Sequence, residues 1–170
     1  IPLRLVGSEM CIRDRISTHK GLKIITNNIN IVNIAAYSSN CEVWVAGGKV
    51  RIGDNAVIGS IAASFIKNFK IDYAIVGISA IDEGGTLLDF DHEELLVSQA
   101  IYKQSRKIIL IADANKFNRK APYVAGNLSD VDIFVTDLRP SKNILNICKK
   151  NNVRVIITSV SYTHLRAHET

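Results

Sequence analysis

Short apolar runs alternate with amphipathic stretches along most of the chain. Between the apolar runs, apolar residues recur at spacings of three and four, which predicts helices over "NINIVNIAAYSS", "AVIGSIAASFIKNF", "EELLVSQAIYKQS" and "SKNILNICKKN". Strand and helix in alternation predict an α/β fold: a layered, mostly parallel sheet with helices on both faces. The six runs predicted as buried strands are 22–26, 42–46, 72–78, 107–112, 132–136 and 153–158.

Two details of these helices can be tested against the structure. In the second stretch, helical spacing places one set of residues on the face expected to be buried. In the third, Asp91 directly precedes the helical pattern and is predicted to cap a helix that begins near His92, with Glu93 complementing the helix dipole. The set expected to be buried in the second helix is Ile58, Ile61, Ala62, Phe65 and Phe69.

The two ends of the chain differ from the rest. Residues 1–15 and 159–170 show neither a clear period nor turn residues leading into their neighbours. We expect both segments to be non-native and adapter-derived, and we leave them out of the fold prediction. A single domain is then expected over residues 16–158, and we expect native sequence to be missing upstream of it.

Composition narrows the classes of protein to consider. The 170 residues are 47% hydrophobic and carry a net charge of +5, with basic residues scattered rather than clustered. No apolar run approaches the roughly 20 residues that span a bilayer, so no membrane partner is expected. The three cysteines lie far apart without metal-ligand spacing and are predicted to be unreactive small residues in a reducing, cytoplasmic setting. Neither a metal nor a cofactor is indicated.

The loops that follow the predicted strands are rich in glycines, amides and cations. They are "TNN" (26–28), "GGKVRIGDN" (47–55), "GISAIDEGG" (77–85) and "DANKFNR" (113–119). In parallel sheets, ligands bind beyond the carboxyl ends of the strands, where such loops gather. Glycine N–H groups can donate to phosphate oxygens, and Lys116 or Arg119 can supply positive charge. These loops therefore predict a site for an anionic, hydroxylated small molecule.

Several alternatives remain open for these residues. The glycines at 47, 48, 53 and 59 do not fit a dinucleotide fingerprint or a P-loop, so Gly47 and Gly48 either permit a tight turn or admit a ligand. The acidic cluster at 82–94 lacks EF-hand spacing, but a general acid–base pair within it stays possible. Glu94 lies one residue deeper in the helix than Glu93, where it can face a ligand.

Four motifs in order carry a resemblance to a known family. "IITNNINIVN", "VWVAGGKVRIGDNAVIG", "IVGISAIDEGGTLLDFDHEE" and "LIADANKFNR" resemble the effector-sensing domain of DeoR-type bacterial transcriptional repressors over about residues 20–158. The resemblance implies a fold like sugar-phosphate isomerases and CoA transferases that no longer turns substrate over. It implies a phosphorylated effector, with glycerol 3-phosphate as the first choice. It further implies a homo-oligomer that contacts operator DNA only through a helix-turn-helix domain absent from this chain.

The resemblance also implies which residues bind the effector. Glycine N–H groups and Lys116 are expected to bind phosphate, and Asn28, Asp82 and Glu94 to bind hydroxyls, although Glu94 can alternatively anchor Lys116 as an ion pair. Asn118 stands where the family usually has glycine, and asparagine tolerates the same left-handed backbone. The complete expected set is Asn27, Asn28, Gly47, Gly48, Gly77, Ile78, Ser79, Asp82, Glu94 and Lys116.

Two other function classes compete with this interpretation. The first is an active sugar-phosphate isomerase or deaminase on the same fold, in which Asp82 or Glu94 would transfer a proton. The second is an inert binding module. The resemblance implies a non-catalytic sensor. The residues themselves show no Ser–His–Asp arrangement, and His92 at a helix start is better explained as a surface or capping residue, so nucleophilic catalysis is not expected.

Overall fold

The computed structural model describes residues 19–36 and 41–158. The segments expected to be non-native, 1–15 and 159–170, lie outside the described residues. The chain divides into two compact units, each described here by itself. The first contains the residues up to Asp72 together with Asp91–Arg106, and the second contains Tyr73–Phe90 and the residues from Lys107 onward. A single domain over 16–158 stays a prediction.

The first unit combines a parallel strand pair, a short hairpin and three helices. The strand pair is in register from Leu22 opposite Cys41 to Thr26 opposite Val45. The hairpin strands are antiparallel, with Val50 opposite Val57. The elements are β1 (Leu22–Thr26), α1 (Ile29–Ala35), β2 (Cys41–Val45), β3 (Lys49–Val50), β4 (Val57–Ile58), α2 (Ser60–Ile66) and α3 (His92–Gln104).

Small side chains dominate the core of the first unit. Ala62 and Ala63 on α2 and Ala100 on α3 are almost fully buried, which allows the helices to approach closely. Larger apolar residues fill the surrounding space. The buried cluster consists of Ala46, Val57, Ala62, Ala63, Ile66, Val97 and Ala100, and Ile29, Phe65, Ile71, Leu96 and Ile101 pack against it.

The second helix starts later than the sequence pattern predicts. Residues Val57–Ile58 form β4, and Gly59, with φ of 92°, separates this strand from α2, which begins at Ser60. The prediction that Ile61 is buried is wrong, since it is 68% exposed. Residues on a helix are rotated by roughly 100° per position. A helix that buries Ala62 and Ile66 against its neighbours therefore turns Ile61 away from the core.

The second unit contains a four-stranded sheet in the order β11-β10-β8-β5 and a three-stranded antiparallel sheet in the order β6-β7-β9. In the larger sheet, β10 pairs in parallel with both β8 and β11. The small antiparallel sheet was not predicted. The elements are β5 (Ile71–Val76), β6 (Ala80–Ile81), β7 (Thr86–Asp89), β8 (Ser105–Ile111), β9 (Tyr123–Asn127), β10 (Ile133–Thr136), α4 (Lys142–Lys150) and β11 (Arg154–Ile157).

Burial alternates along the strands of the larger sheet. Leu110 in β8 and Phe134 in β10, which are register partners, are fully buried. On β5, Ala74 and Val76 are buried, whereas Ile75 between them is 71% exposed. Among the described residues, no helix combines the length and apolar character needed to cross a bilayer.

Asp132 joins the starts of three strands of this sheet. Its Oδ1 accepts from Nζ of Lys107 at 2.7 Å, and its Oδ2 accepts from the backbone N–H of Ile108 at 2.9 Å. Its backbone carbonyl accepts from the N–H of Arg154 at 2.9 Å. The hydrogen bond from Lys107, followed by that from Ile108, lowers the pKa of the Asp132 carboxyl.

Asp132→Asn is expected to lower the free energy of unfolding by about 1 kcal/mol at pH 7, because the charge is lost from a hydrogen-bonded carboxylate. A carboxyl whose pKa is lowered on folding stabilises the fold above its unfolded value of about 3.9, and this contribution is lost as the pH falls through the folded pKa. The difference between wild type and variant should therefore narrow below about pH 4. Urea unfolding at pH 7 and in acid measures both quantities.

Asp72→Asn is the matched control for this experiment. Asp72 pairs with Arg106 at 3.7 Å, but both side chains are about three-quarters exposed. Exposed pairs of this kind contribute little, so the control should stay within roughly 0.5 kcal/mol of wild type. The role given to Asp132 would be contradicted if both variants lost equal free energy of unfolding. It would also be contradicted if the difference between wild type and Asp132→Asn persisted in acid.

Candidate functional site

In the first unit, the hairpin at residues 49–58 is tied to the segment that joins β1 to α1. The side-chain Nδ2 of Asn27 donates to the carbonyl of Val57 at 3.0 Å, and the N–H of Val57 donates to the carbonyl of Asn27 at 2.6 Å. The N–H of Ile29 donates to the carbonyl of Asn55 at 3.0 Å. The side chain of Asn27 therefore has a structural partner, and an effector contact by this residue stays a prediction.

Asn28 has structural partners at both ends of its amide. Its Oδ1 caps α1 by accepting from the N–H of Asn30 at 2.9 Å. Its Nδ2 donates to the carbonyl of Asp54, on the hairpin, at 3.2 Å. The "TNN" motif thus begins a helix and holds the hairpin in place, whatever else it binds.

The two neighbouring glycines before the hairpin meet different requirements. Gly48 has φ of 141°, and a Cβ at this position would lie 3.2 Å from Cγ1 of Val57 and 3.4 Å from the carbonyl oxygen of Ile58. A Cβ on Gly47 would meet no atom within 4 Å. The turn therefore requires glycine at 48, whereas the fold itself leaves space for a side chain at 47.

Gly48→Ala is expected to lower the free energy of unfolding by about 1–3 kcal/mol, because it combines a strained φ with a close contact to β4. Gly47→Ala is expected to change it by less than about 0.5 kcal/mol. Chemical denaturation of both variants measures the difference. Comparable losses in the two would show that the turn does not distinguish the glycines in this way.

Three acidic residues of the first unit, Asp91, Glu93 and Glu94, lie at the start of α3. Asp91 caps the helix as predicted, with its Oδ1 accepting from the N–H of Glu93 at 2.8 Å. Oε2 of Glu94 accepts from Nη1 of Arg51 at 2.6 Å, and Nη1 also lies 3.1 Å from Oδ2 of Asp91. Oδ1 and Oδ2 of Asp54 accept from Nε and Nη2 of the same guanidinium.

Sequence reasoning missed Arg51, although one signal was present. Asp54 follows it by three residues within a hairpin turn, a spacing that allows a local ion pair. These groups shift the pKa values of one another. The hydrogen bonds that Arg51 donates to Asp54 and then to Glu94 raise the pKa of Arg51, and the bond from Arg51 lowers the pKa of Asp54. Burial opposes ionisation of Asp91, but the bonds from Glu93 and Arg51 outweigh it and lower the pKa of its carboxyl.

In the second unit, the loop at 77–82 is held by two carboxylates. Oγ of Ser79 donates to Oδ1 of Asp89 at 2.8 Å, and Asp89, only 3% exposed, also accepts from the N–H of Phe90 at 2.7 Å. Oδ1 of Asp82 accepts from the N–H of Thr86 at 2.7 Å, which closes the turn between β6 and β7. Effector roles for Ser79 and Asp82 therefore stay predictions beside observed structural ones.

Other members of this loop differ in their surroundings. Ile78 is buried, with 8% of its surface exposed. Gly77 is exposed, and a Cβ at this position would meet no atom within 4 Å. Of the two, Gly77 leaves its backbone open to a ligand.

The segment around Lys116 lies beside this loop in the same unit. The N–H of Asn118 donates to the carbonyl of Ile81 at 2.9 Å, and Phe117 forms an isolated bridge with Ile81. Asn118 has φ of 57°, the left-handed backbone expected from the sequence. Lys116 is half-buried at the end of a 3-10 turn, Ala114–Lys116, and among the described residues of this unit no carboxylate lies within ion-pair distance of its ammonium.

The predicted site residues thus fall into two sets, one in each unit, and each set is considered by itself. The first set surrounds the hairpin. The second set is the loop with the lysine segment beside it. In the first are Asn27, Asn28, Gly47, Gly48 and Glu94, and in the second are Gly77, Ile78, Ser79, Asp82 and Lys116.

The described part of the chain was also compared with the requirements of a metal site and of a reactive thiol. No group of three or more His, Cys, Asp or Glu side chains there is arranged to hold a metal ion. Cys148 is 1% exposed, and burial raises the pKa of its thiol, which disfavours the reactive thiolate. The alternative in which Glu94 pairs with Lys116 joins residues of different units and stays a prediction.

The sequence matches one protein family and several repressors. Residues 8–138 match the family described as the DeoR C terminal sensor domain. The chain is 35% identical over 137 residues to the glycerol-3-phosphate regulon repressor of Escherichia coli (strain K12), covering 81% of this chain and 54% of that protein. It is 38% identical over 139 residues to the repressor of the same name from Haemophilus influenzae, covering 82% and 54%.

More distant proteins are similar as well. The HTH-type transcriptional repressor CsqR of Escherichia coli is 32% identical over 139 residues, covering 82% of this chain and 53% of that protein. The chain spans about half the length of the curated relatives it matches. The crystal structure of eIF2B beta from Chaetomium thermophilum is similar at a TM-score of 0.40 and 14% identity, covering 86% of this chain and 55% of that chain.

Proposed function

We propose that this chain, which belongs to the DeoR C terminal sensor domain family, is the effector-binding part of a bacterial transcriptional repressor of carbohydrate or glycerol metabolism. The effector is a phosphorylated metabolite, and glycerol 3-phosphate is the first to test because two of the relatives are named for its regulon. In the intact, oligomeric and cytoplasmic protein, a separate helix-turn-helix domain would contact operator DNA.

The proposal depends most on Lys116 in the second unit. This lysine is half-buried and has no ion-pair partner among the described residues of its unit, although buried charges usually have one. A phosphate group would supply the missing negative charge. The neighbouring loop adds Gly77, where space around the backbone allows a phosphate oxygen to approach an N–H group.

The first unit offers groups suited to hydroxyls rather than to phosphate. Glu94 and the amides Asn27 and Asn28 accept and donate hydrogen bonds, and Gly47 leaves its backbone open to a ligand. Two basic residues of the hairpin, Lys49 and Arg51, already pair with carboxylates. We assign this set to recognition of polyol or sugar hydroxyls.

The geometry favours binding over turnover. A general base must reach the proton it removes. Asp82 is engaged with the backbone of Thr86, and Glu94 is engaged with Arg51. An active sugar-phosphate isomerase or deaminase that uses either carboxylate remains the alternative function.

Binding of glycerol 3-phosphate is expected to stabilise the chain against thermal unfolding. At about a hundred times the dissociation constant, a single site adds roughly 2.7 kcal/mol. Glycerol carries only the hydroxyl groups of this ligand, and inorganic phosphate carries only its phosphate group. Each should raise the melting temperature less than glycerol 3-phosphate does at the same concentration. If no phosphorylated three-carbon or sugar ligand shifts the melting temperature, the sensor assignment fails.

Lys116→Ala is expected to weaken binding of glycerol 3-phosphate by roughly tenfold or more, because a charge-assisted contact to phosphate is lost. Lys120→Ala is the matched control, since Lys120 is an exposed lysine four residues further along the chain. Calorimetric titration measures both affinities, and thermal unfolding without ligand should be unchanged. An equal loss in the two variants would indicate a general charge effect and count against a phosphate contact at Lys116.

The enzyme alternative makes a different prediction. We expect no incorporation of deuterium into pentose or hexosamine phosphates incubated with the chain in heavy water, followed by proton NMR. Exchange at the carbon next to the carbonyl that disappears in Asp82→Asn or Glu94→Gln would establish proton transfer and overturn the non-catalytic assignment.

A further inference from the structure

We infer that Arg51 is a positioning residue of the first unit, which sets the hairpin at 49–58 and the carboxylate of Glu94 in one arrangement. Arg51 lies in the loop 47–55, but it is not among the individual residues predicted to bind a ligand. The inference deepens the proposed function, and it rests on that function only where it concerns ligand affinity.

The guanidinium of Arg51 uses most of its donors on three carboxylates. Nε and Nη2 form a fork onto the two oxygens of Asp54. Nη1 donates to Oε2 of Glu94 at 2.6 Å and to Oδ2 of Asp91 at 3.1 Å. A guanidinium carries five N–H donors in a fixed plane, so these four hydrogen bonds fix its orientation and those of its partners.

The three carboxylates belong to two different elements. Asp54 lies in the hairpin turn, whereas Asp91 and Glu94 lie at the N-terminal end of α3. The backbone N–H of Arg51 also donates to the carbonyl of Ala56 at 2.8 Å, across the hairpin. Arg51 therefore closes the hairpin on itself and attaches it to the helix.

The hydrogen bonds that fix the hairpin also reach the segment between β1 and α1. The carbonyl of Asp54 accepts from Nδ2 of Asn28 at 3.2 Å. The position of Asp54, fixed by the arginine fork, thus contributes to the position of the "TNN" motif. Gly47 and Gly48 immediately precede the hairpin whose far end is held in this way.

Arg51 contributes to the orientation of Glu94. The Glu94 side chain is about one-third exposed, as is that of Asp91. Without the guanidinium, these two carboxylates and that of Asp54 would repel one another. Lysine cannot replace arginine here, because one ammonium offers three donors from a single atom and cannot form the planar fork.

Two measurements on four variants test the inference. The variants are Arg51→Met, Arg51→Lys, Glu94→Gln and the double variant Arg51→Met with Glu94→Gln, and Lys49→Met is the control. Lys49 lies two residues earlier on the same hairpin and pairs with Glu93 at 2.7 Å, but its side chain is 68% exposed. Amide hydrogen exchange is measured without ligand, and glycerol 3-phosphate affinity is measured by calorimetry.

Amide hydrogen exchange at residues 47–58 is expected to be faster in Arg51→Met and in Arg51→Lys than in wild type. Lys49→Met should exchange as wild type does. The amides of β1 and β2 should stay protected in all variants. The affinity of Arg51→Met should fall roughly tenfold. The double variant should bind no more weakly than the weaker single variant, because Arg51 acts through Glu94. Asp54→Asn, which removes the fork alone, replaces Arg51→Met if that variant does not fold.

Two results would overturn the inference: unchanged exchange in the hairpin of both Arg51 variants, or additive affinity losses in the double variant. Absence of glycerol 3-phosphate binding by the wild-type chain would refute the proposed effector instead. In that case hydrogen exchange alone decides the role of Arg51. The two failures are therefore distinguishable.

Discussion

In the first unit, one guanidinium shared among three carboxylates links the hairpin at 49–58 to the start of α3. The hairpin that follows Gly47 and Gly48 has strands of only two residues each, too short to hold its position by backbone pairing alone. Its attachment comes from Val57 in the core, from backbone hydrogen bonds to Asn27 and Ile29, and from the polar contacts of Arg51 and Asp54. A segment held in part by oriented charges has a defined geometry while remaining close to solvent.

The sequence predicted the strands of the β1–β2 pair and of the four-stranded sheet to within two residues at each end, because continuous Ile and Val runs are typical of parallel strands. It did not predict the antiparallel strands, and its prediction that all six runs are buried is wrong for β2, where Trp44 and Val45 are 44% and 45% exposed. Strands such as Ala80–Ile81 have no period of their own and exist because a turn closed by Asp82 brings a partner beside them. Gly59 likewise ends β4 and delays α2, a backbone effect that apolar spacing does not reveal.

Some features of the candidate site could be predicted from the sequence, whereas others are defined only by the fold. The cap at Asp91 and the left-handed backbone of Asn118 are local properties and could be predicted. The partner of Asn27 and the partners of Arg51 on α3 lie about 30 and 40 residues away in the chain, so only the folded unit identifies them. The separate requirements of Gly47 and Gly48 depend on Val57, which the fold places beside only one of the two.

The position of the single tryptophan has a practical consequence. Trp44 lies in β2 of the first unit, where its Nε1 donates to Oε1 of Glu42 at 2.8 Å and its ring packs edge-on against Phe69. Intrinsic indole emission therefore arises from one unit alone. A fluorescence trace reports on the surroundings of that ring, so an unchanged trace alone does not show that the protein is unperturbed around Lys116.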